Sequence, residues 1–291
     1  MSIDRATETG ATPALDVGVE PRAFLEAVRE DLERHEAENG LLLGFLSRLA
    51  TEPPAEIPFM AHHPDLGAVA LLTSLNLIVS RGMGEAAPAL VQALQARGLP
   101  VPGIVGRAED VDALAIAWAE ASGAAPTHSV DQMLYELRHI DWPPGVPGRM
   151  RPMTESDVAL VTGWVWGFYR DALPHEPYSE AEARENALAR PAMGMTYLWE
   201  RDGVPVAMAA LARPTRRGIT VNAVYTPLEH RRCGYASALV AALSDEGLKR
   251  GKDFCVLYTD LANPTSNAIY QAIGYRPVTR SKNVRFSAGE R

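Results

Sequence analysis

The sequence contains two cysteines in 291 residues, Cys233 and Cys255. Two are too few for a disulfide framework, and their spacing matches no metal-ligand pattern. Long apolar runs are also missing. Stretches such as Gly67–Leu72 fall far short of the roughly 20 residues needed to cross a bilayer. The N-terminus, Met-Ser-Ile-Asp-Arg-Ala-Thr-Glu, has no apolar signal-peptide core. Basic residues are outnumbered, 28 against 36 acids, for a net charge of −8. Binding nucleic acid through phosphate contacts ordinarily requires a basic surplus. These absences argue against a secreted disulfide scaffold, a membrane span, a resident metal and a nucleic-acid partner. The expectation is a soluble, cytoplasmic protein.

What is present is an ordinary globular mixture, 47% apolar and 22% charged. The length favours about two domains. Charge divides unevenly between the halves: residues 1–150 hold 21 acids and 10 bases, residues 151–291 hold 15 and 18. Near that change lies Asp141-Trp142-Pro143-Pro144-Gly145-Val146-Pro147-Gly148. Each proline restricts itself and its predecessor away from helix, so 141–148 is read as a linker. Residues 1–20 lack periodicity and are read as a flexible tail.

Hydrophobic spacing supplies the elements. Phe24, Leu25, Val28, Leu32 and His35 share one helical face, and Asn39-Gly40 is a stop. A helix over 41–49 follows, then strands at 58–62, 67–73 and 76–80 and a helix over 85–97. A strand at 101–105, a helix over 108–122 and a strand at 132–139 complete the first half. The second half opens with a strand at 149–152. Thr154-Glu155-Ser156-Asp157 and Ser179-Glu180-Ala181-Glu182 are spaced as capping boxes, with a hydroxyl at one end and an acid three residues on. They open helices expected to end near Ala172 and before Pro191. Arg201-Asp202-Gly203 joins two strands as a hairpin. A strand at 220–226, a helix over 235–250, a strand at 254–259, a helix over 266–273 and a strand at 276–286 follow. Hairpins mixed with a βαβ crossover make the class α+β. The first half shows a similar order, which suggests two copies of one fold.

The chemistry concentrates in 221–278. A strand ends at Thr226-Pro227 and feeds a loop carrying Arg231, Arg232 and Gly234, and an apolar helix follows at once. The first-turn amides of such a helix have no helical acceptors. With the helix dipole they form an anion site suited to a pyrophosphate, and the two arginines add charge-assisted bonds.

Arg231-Arg232-Cys233-Gly234-Tyr235-Ala236 resembles the Gln/Arg-x-x-Gly-x-Gly/Ala signature of the GNAT N-acetyltransferase superfamily. Asn263-Pro264-Thr265-Ser266-Asn267-Ala268-Ile269-Tyr270, ending in Ile273-Gly274-Tyr275, is similar to the family's second motif, an Asn seven residues before a Tyr. The resemblance covers about 148–291 and leans towards the branch that includes glycine N-acyltransferase-like proteins. It implies two GNAT-like domains, each a mixed, mostly antiparallel sheet flanked by helices, at 21–140 and 149–291. It also implies acetyl-CoA as co-substrate and acyl transfer to an amine by direct attack, with no nucleophilic cysteine. Backbone groups at Ala223, Val224 and Tyr225 would bond the pantetheine arm. The loop and helix start at Arg231, Arg232, Cys233, Gly234, Tyr235, Ala236 and Ser237 would hold the pyrophosphate. Asn263 and Ser266 would lie near the thiol end, although Asn-Pro is also a common turn initiator. Tyr270 would protonate the departing thiolate, since a phenol stays protonated at neutral pH. Trp164 and Phe168, four apart on one helix, are acceptor-wall candidates as well as core candidates. The general base stays open among Glu200, Glu229, Asp260 and a water chain.

The first half lacks these determinants. Arg81-Gly82-Met83-Gly84-Glu85 occupies the place of the phosphate loop but is shortened, with Glu85 where an anion would go. No Asn precedes a Tyr by seven residues in the helix over 108–122. A degenerate domain is expected there, one that completes a sheet, shapes the acceptor site or supports a homodimer. Three functions remain in view: an N-acetyltransferase for a small-molecule or amino-acid-like amine, a CoA-binding module without turnover, and an acyltransferase acting on a protein N-terminus.

Overall fold

The computed structural model describes residues 15–173 and 178–287. In chain order the first elements are β1 (Asp16–Gly18), α1 (Pro21–Arg34), α2 (Gly40–Thr51), β2 (Met60–His63), β3 (Ala68–Leu72), β4 (Leu77–Val79), α3 (Ala87–Gln95), β5 (Gly103–Arg107), α4 (Ala108–Ser122) and β6 (Pro126–Leu137). The same succession then repeats as β7 (Arg149–Pro152), α5 (Val158–Ala172), α6 (Glu180–Met193), β8 (Thr196–Arg201), β9 (Val204–Ala212), β10 (Gly218–Tyr225), α7 (Tyr235–Lys249), β11 (Phe254–Asp260), α8 (Pro264–Ile273) and β12 (Arg276–Phe286). The class is α+β, with parallel pairs β4–β5 and β10–β11 among antiparallel ones.

The chain divides into two compact units that do not follow the sequence halves. Of the described residues, the first comprises 15–34, 46–129 and 282–287, the second 35–45, 130–173 and 178–281. In the first, strands run β1-β2-β3-β4-β5, and the end of β12 lies beside β5. Ala61, Ala70, Val79, Leu90, Leu94, Val111 and Leu114 fill its core, together with Val284 and Phe286. In the second, strands run β6-β11-β10-β9-β8-β7. Each unit therefore takes the strand beside its fifth from the opposite half of the sequence.

Three boundaries differ from expectation. Residues 16–18, assigned to the tail, form β1, which pairs antiparallel with β2 from Asp16–His62 to Gly18–Met60; the rest of the tail, 1–14, lies outside the described residues. The 141–148 stretch lies inside the second unit. The reason is β6, which precedes it and pairs with β11 from Cys255–Leu137 to Asp260–Gln132. The stretch itself is pinned there, the Pro147 carbonyl accepting from Trp199 Nε1 at 3.0 Å and the Asp141 N–H donating to the Ile273 carbonyl at 2.7 Å. Helix α6 runs through Pro191 to Met193. The proline falls in the last turn, ahead of left-handed Gly194, so the helix loses one hydrogen bond near an end it was about to reach.

Helix α7 packs Ala238, Leu239, Ala241 and Leu243 on one face of the second unit's sheet, against Leu211, Ile219, Val221 and Leu257. On the opposite face α5 and α6 place Val161, Trp164, Val165, Ala183 and Ala187 against Leu198 and Met208. Segment 35–45 belongs to this unit through Glu36, which is only 3% exposed. Its carboxylate accepts from Thr215 Oγ1 (2.6 Å), the Arg217 N–H (2.6 Å) and Arg217 Nε (2.7 Å). Burial pushes the Glu36 carboxyl up, and these hydrogen bonds outweigh burial and hold it below the usual value.

Both capping boxes form. Glu182 N–H donates to Ser179 Oγ at 3.2 Å, and Ser179 N–H to Glu182 Oε2 at 2.7 Å. Thr154 N–H donates to Asp157 Oδ2 at 2.8 Å. Asp157 also receives Arg151 bidentately, at 2.7 and 2.8 Å, and Arg151 Nε reaches Glu200 at 2.6 Å. The guanidinium, ahead of burial, drives the Asp157 carboxyl down to about 2 from 3.8. The folded value lies below the unfolded one, so this stabilisation is present above pH 4 and is lost as pH falls towards 2. Asp157→Asn should cost about 2 kcal/mol at pH 7. Urea unfolding at pH 7 and pH 3 checks this: the gap to wild type should narrow by about half at pH 3.

Candidate functional site

Two parallel strands part in the middle of the second unit. β10 and β11 pair at Gly218–Phe254, Ile219–Cys255 and Thr220–Val256. Beyond these, β11 stays on β6 as far as Asp260–Gln132. β10 stays on β9 as far as Tyr225–Met208, after a register shift between Asn222 and Tyr225. Within the shift Ala223 has φ 50, a left-handed conformation that is costly for a residue bearing a Cβ. A bulge of this kind bends its strand and re-aims its peptide groups. The β11-facing edge of β10 from Val221 to Tyr225 is thereby presented to a fork.

The start of α7 lies just beyond. Thr226-Pro227 leads through a 3-10 turn, Leu228–His230, to left-handed Arg232 (φ 63) and to Gly234, the helix N-cap (φ 80). A Cβ at Gly234 would meet Val146 Cγ2 at 3.0 Å in addition to the backbone strain. The Ala238 N–H donates to the Gly234 carbonyl at 3.0 Å, so the amides of Tyr235, Ala236 and Ser237 precede the helical ladder. With the helix dipole they form an anion-binding end.

The loop side chains divide. Arg232 and Cys233 are exposed, and the Cys233 thiol donates to the Arg231 carbonyl at 3.5 Å. Arg231 is engaged within the protein: Nε donates to the Thr226 carbonyl and Nη2 to Asp171 Oδ2, each at 2.9 Å. Its guanidinium also lies 5.9 Å from the Tyr225 ring centre. The Asp171 partner was not legible in sequence, since it sits sixty residues away on α5. Tyr235 is buried and its hydroxyl accepts from Arg201 Nη1 at 2.7 Å, so it offers the site an amide and not a side chain.

On α8, Asn263 is the N-cap, its Oδ1 accepting from the Ser266 N–H at 3.0 Å. Of the two readings of Asn263, the structure displays the helix-start one. Tyr270, one turn beyond Ser266, is buried in the core and packs edge-on to Tyr275 at 6.1 Å. Burial pushes its phenol up to about 12, opposed by a hydrogen bond with Ser266.

Trp164 lies in the core beneath α5, and Phe168 packs at its margin, edge-on to Tyr169 at 5.7 Å. The Tyr225 hydroxyl stands against α5 at Gly167, where a Cβ would fall 2.5 Å away. Among the base candidates, Glu200 is held by Arg151 and Arg149, whose hydrogen bonds lower its pKa. That makes it a poor proton acceptor. Glu229 is exposed in the 3-10 turn. Asp260 ends β11, with Oδ1 accepting from the Ala262 N–H at 2.7 Å. Among the described residues no group of three or more His, Cys, Asp or Glu could hold a metal, and no helix is long and apolar enough to cross a membrane.

The corresponding loop of the first unit is filled by its own chain. Asp110 Oδ1, in the first turn of α4, accepts from the Gly82 and Gly84 N–H groups, each at 2.9 Å. The acid at these amides is thus Asp110, while Glu85 is exposed. Asp110 is 5% exposed, so its hydrogen bonds are shielded from water. Asp110→Ala should destabilise the protein by about 2–3 kcal/mol, the range for charge-assisted bonds to buried amides. Denaturant unfolding checks the loss, and a variant within 0.5 kcal/mol of wild type (about the scatter of neutral surface changes) would refute it.

Residues 158–275 match the family described as Acetyltransferase (GNAT) family. No curated protein matches the chain. Among solved structures, a Drosophila protein is similar at a TM-score of 0.68 and 14% identity, covering 96% of this chain and 100% of that one. A GCN5-related N-acetyltransferase from Sphaerobacter thermophilus gives 0.57 and 16%, covering 93% and 95%. A GNAT-family acetyltransferase from Colwellia psychrerythraea gives 0.55 and 11%, covering 94% and 99%. At these identities the likeness is one of fold.

Proposed function

Given a GNAT acetyltransferase domain at residues 158–275, we propose that the protein transfers an acetyl group from acetyl-CoA to the amine of a small molecule. The observation that carries the reading is the fork between β10 and β11 beside a helix start whose N-cap is a bare glycine. The residues fit an anionic, extended cofactor. The Tyr235, Ala236 and Ser237 amides and the exposed Arg232 would hold its pyrophosphate. The bulged backbone at Ala223, Val224 and Tyr225 would bond its pantetheine arm. Arg231 reaches a phosphate only by sharing or leaving Asp171. Acetyl-CoA supplies the acetyl group as a thioester.

In this reading the amine nitrogen bonds to the carbonyl carbon as the carbon–sulfur bond breaks, and the bonding pair goes to sulfur. A β10 amide near Tyr225 donates to the carbonyl oxygen as charge builds there. The amine gives up a proton to water or to Asp260. Tyr270 donates towards the departing sulfur. A phenol near 12 facing a thiol of about 8.5 is a reluctant acid, since each unit of mismatch costs about 1.4 kcal/mol. Tyr270 therefore acts chiefly as a hydrogen-bond donor, with sulfur protonated late. The first unit would be a copy of the same fold that does not take CoA, because Asp110 occupies its loop amides.

Tyr270→Phe should lower kcat by about 10²-fold with little change in the KM for acetyl-CoA. Because the phenol stays protonated, wild-type kcat should show no alkaline loss up to pH 10. Thiol-release rates across a panel of amines measure both, and unchanged kcat in the variant would remove Tyr270 from the reaction. Arg232→Glu should raise the acetyl-CoA KM about tenfold while leaving the fold intact. Calorimetry with acetyl-CoA separates binding without turnover, the outcome expected of a CoA-binding module.

A further inference from the structure

The end of β10 keeps little of its sheet. β11 leaves it after Thr220–Val256, and past the bulge one pair, Tyr225–Met208, ties it to β9. Ala223 holds its left-handed φ within this stretch. A strained backbone persists only where its surroundings over-determine it. Contacts from outside the sheet must therefore fix Val224 and Tyr225.

Helix α5 supplies them. Gly167 and Asp171 lie four residues apart and share one face of that helix. The Tyr225 hydroxyl stands against Gly167, where a Cβ would fall 2.5 Å from the oxygen and 2.8 Å from Cζ. One turn further, Asp171 Oδ2 accepts from Arg231 Nη2 at 2.9 Å. Arg231 Nε donates to the Thr226 carbonyl, also at 2.9 Å. The guanidinium lies 5.9 Å from the Tyr225 ring centre, within cation–π reach. One side chain thus joins the last turn of α5, the ring of the last residue of β10 and the carbonyl of the residue after it. Neutralising Asp171 does not require this contact, because its Oδ1 already accepts from Arg170 Nε at 3.1 Å.

We propose that Asp171 and Arg231 are positioning residues, which hold the bulged end of β10 and the peptide groups of Val224 and Tyr225 in the arrangement that acetyl transfer uses. Gly167 is the third part of this clamp, since only a helix position without a Cβ admits the Tyr225 hydroxyl. In this role Arg231 acts through Thr226 and Tyr225 and is not a phosphate ligand. The phosphates are left to the first-turn amides of α7 and to Arg232. The inference rests on the acetyl-transfer reading for what the held backbone does, and on the contacts of Gly167, Asp171 and Arg231 for the holding.

The test compares the full chain with Arg231→Met, Asp171→Asn and the two combined. Each single variant should lower kcat about tenfold and leave the acetyl-CoA KM within about twofold of wild type. The combined variant should be no worse than either alone, because the two residues act as one unit. Asp171→Glu, which keeps a carboxylate, should recover most of kcat. Gly167→Ala should reproduce the loss without touching a charge. The paired side chains are 41% and 29% exposed, so the melting temperature should stay within about 2 °C of wild type. In the ligand-free protein, backbone hydrogen exchange over 222–227 should quicken about fivefold in both single variants alike. An acetyl-CoA KM raised about tenfold in Arg231→Met but not in Asp171→Asn would make Arg231 a phosphate ligand and overturns the proposal. So does an unchanged kcat, an additive loss in the combined variant, or exchange quickened throughout the chain with a lowered melting temperature. If no amine turns over with wild type, the acetyl-transfer reading fails by itself. Hydrogen exchange then decides the clamp: local quickening shared by both variants supports it, and exchange equal to wild type overturns it.

Discussion

The second unit is organised by a parallel contact only three residue pairs long. β10 and β11 meet from Gly218–Phe254 to Thr220–Val256 and then separate. Each strand keeps a full antiparallel neighbour on its outer side, β9 for one and β6 for the other, so the separation does not unravel the sheet. A left-handed alanine, Ala223, sets the divergence. Its cost is borne by the packing of Ile219, Val221 and Leu257 under α7. Peptide groups that would otherwise complete a ladder are left next to the positive end of a helix.

Each unit uses buried carboxylates as fasteners. Glu36, Asp157 and Asp110 are shielded carboxylates that receive hydrogen-bond donors, Asp110 through Oδ1 and from backbone amides. They fasten residues 35–45 to the connection before β10, the start of α5 to β7 six residues before it, and the loop after β4 to α4.

Much of the fold was legible locally. The capping boxes at Thr154 and Ser179, the Asp202-Gly203 hairpin and the glycine ahead of α7 each act through neighbours within a few residues, so their signals are in the sequence itself. The glycine-capped start of α7 was legible for the same reason: an N-cap glycine and free first-turn amides are properties of one short segment. What escaped was long-range. Nothing near Glu85 marks Asp110 as the acid at the Gly82 and Gly84 amides. Nothing near Arg231 marks Asp171 as its partner. The Pro-Gly stretch at 141–148 has the composition of a linker, yet it packs inside a unit because the strand before it pairs with β11.

The sequence by itself therefore determined the element types, their repeated order and the glycine-capped start of α7, since these depend on spacing, capping and local backbone freedom. The tertiary structure alone decided which strands complete each sheet, where β10 leaves β11, and which charges lose their water. Those outcomes depend on pairing register and burial between residues up to 220 positions apart, as between Glu38 and Tyr258. No local pattern encodes the distance between such partners.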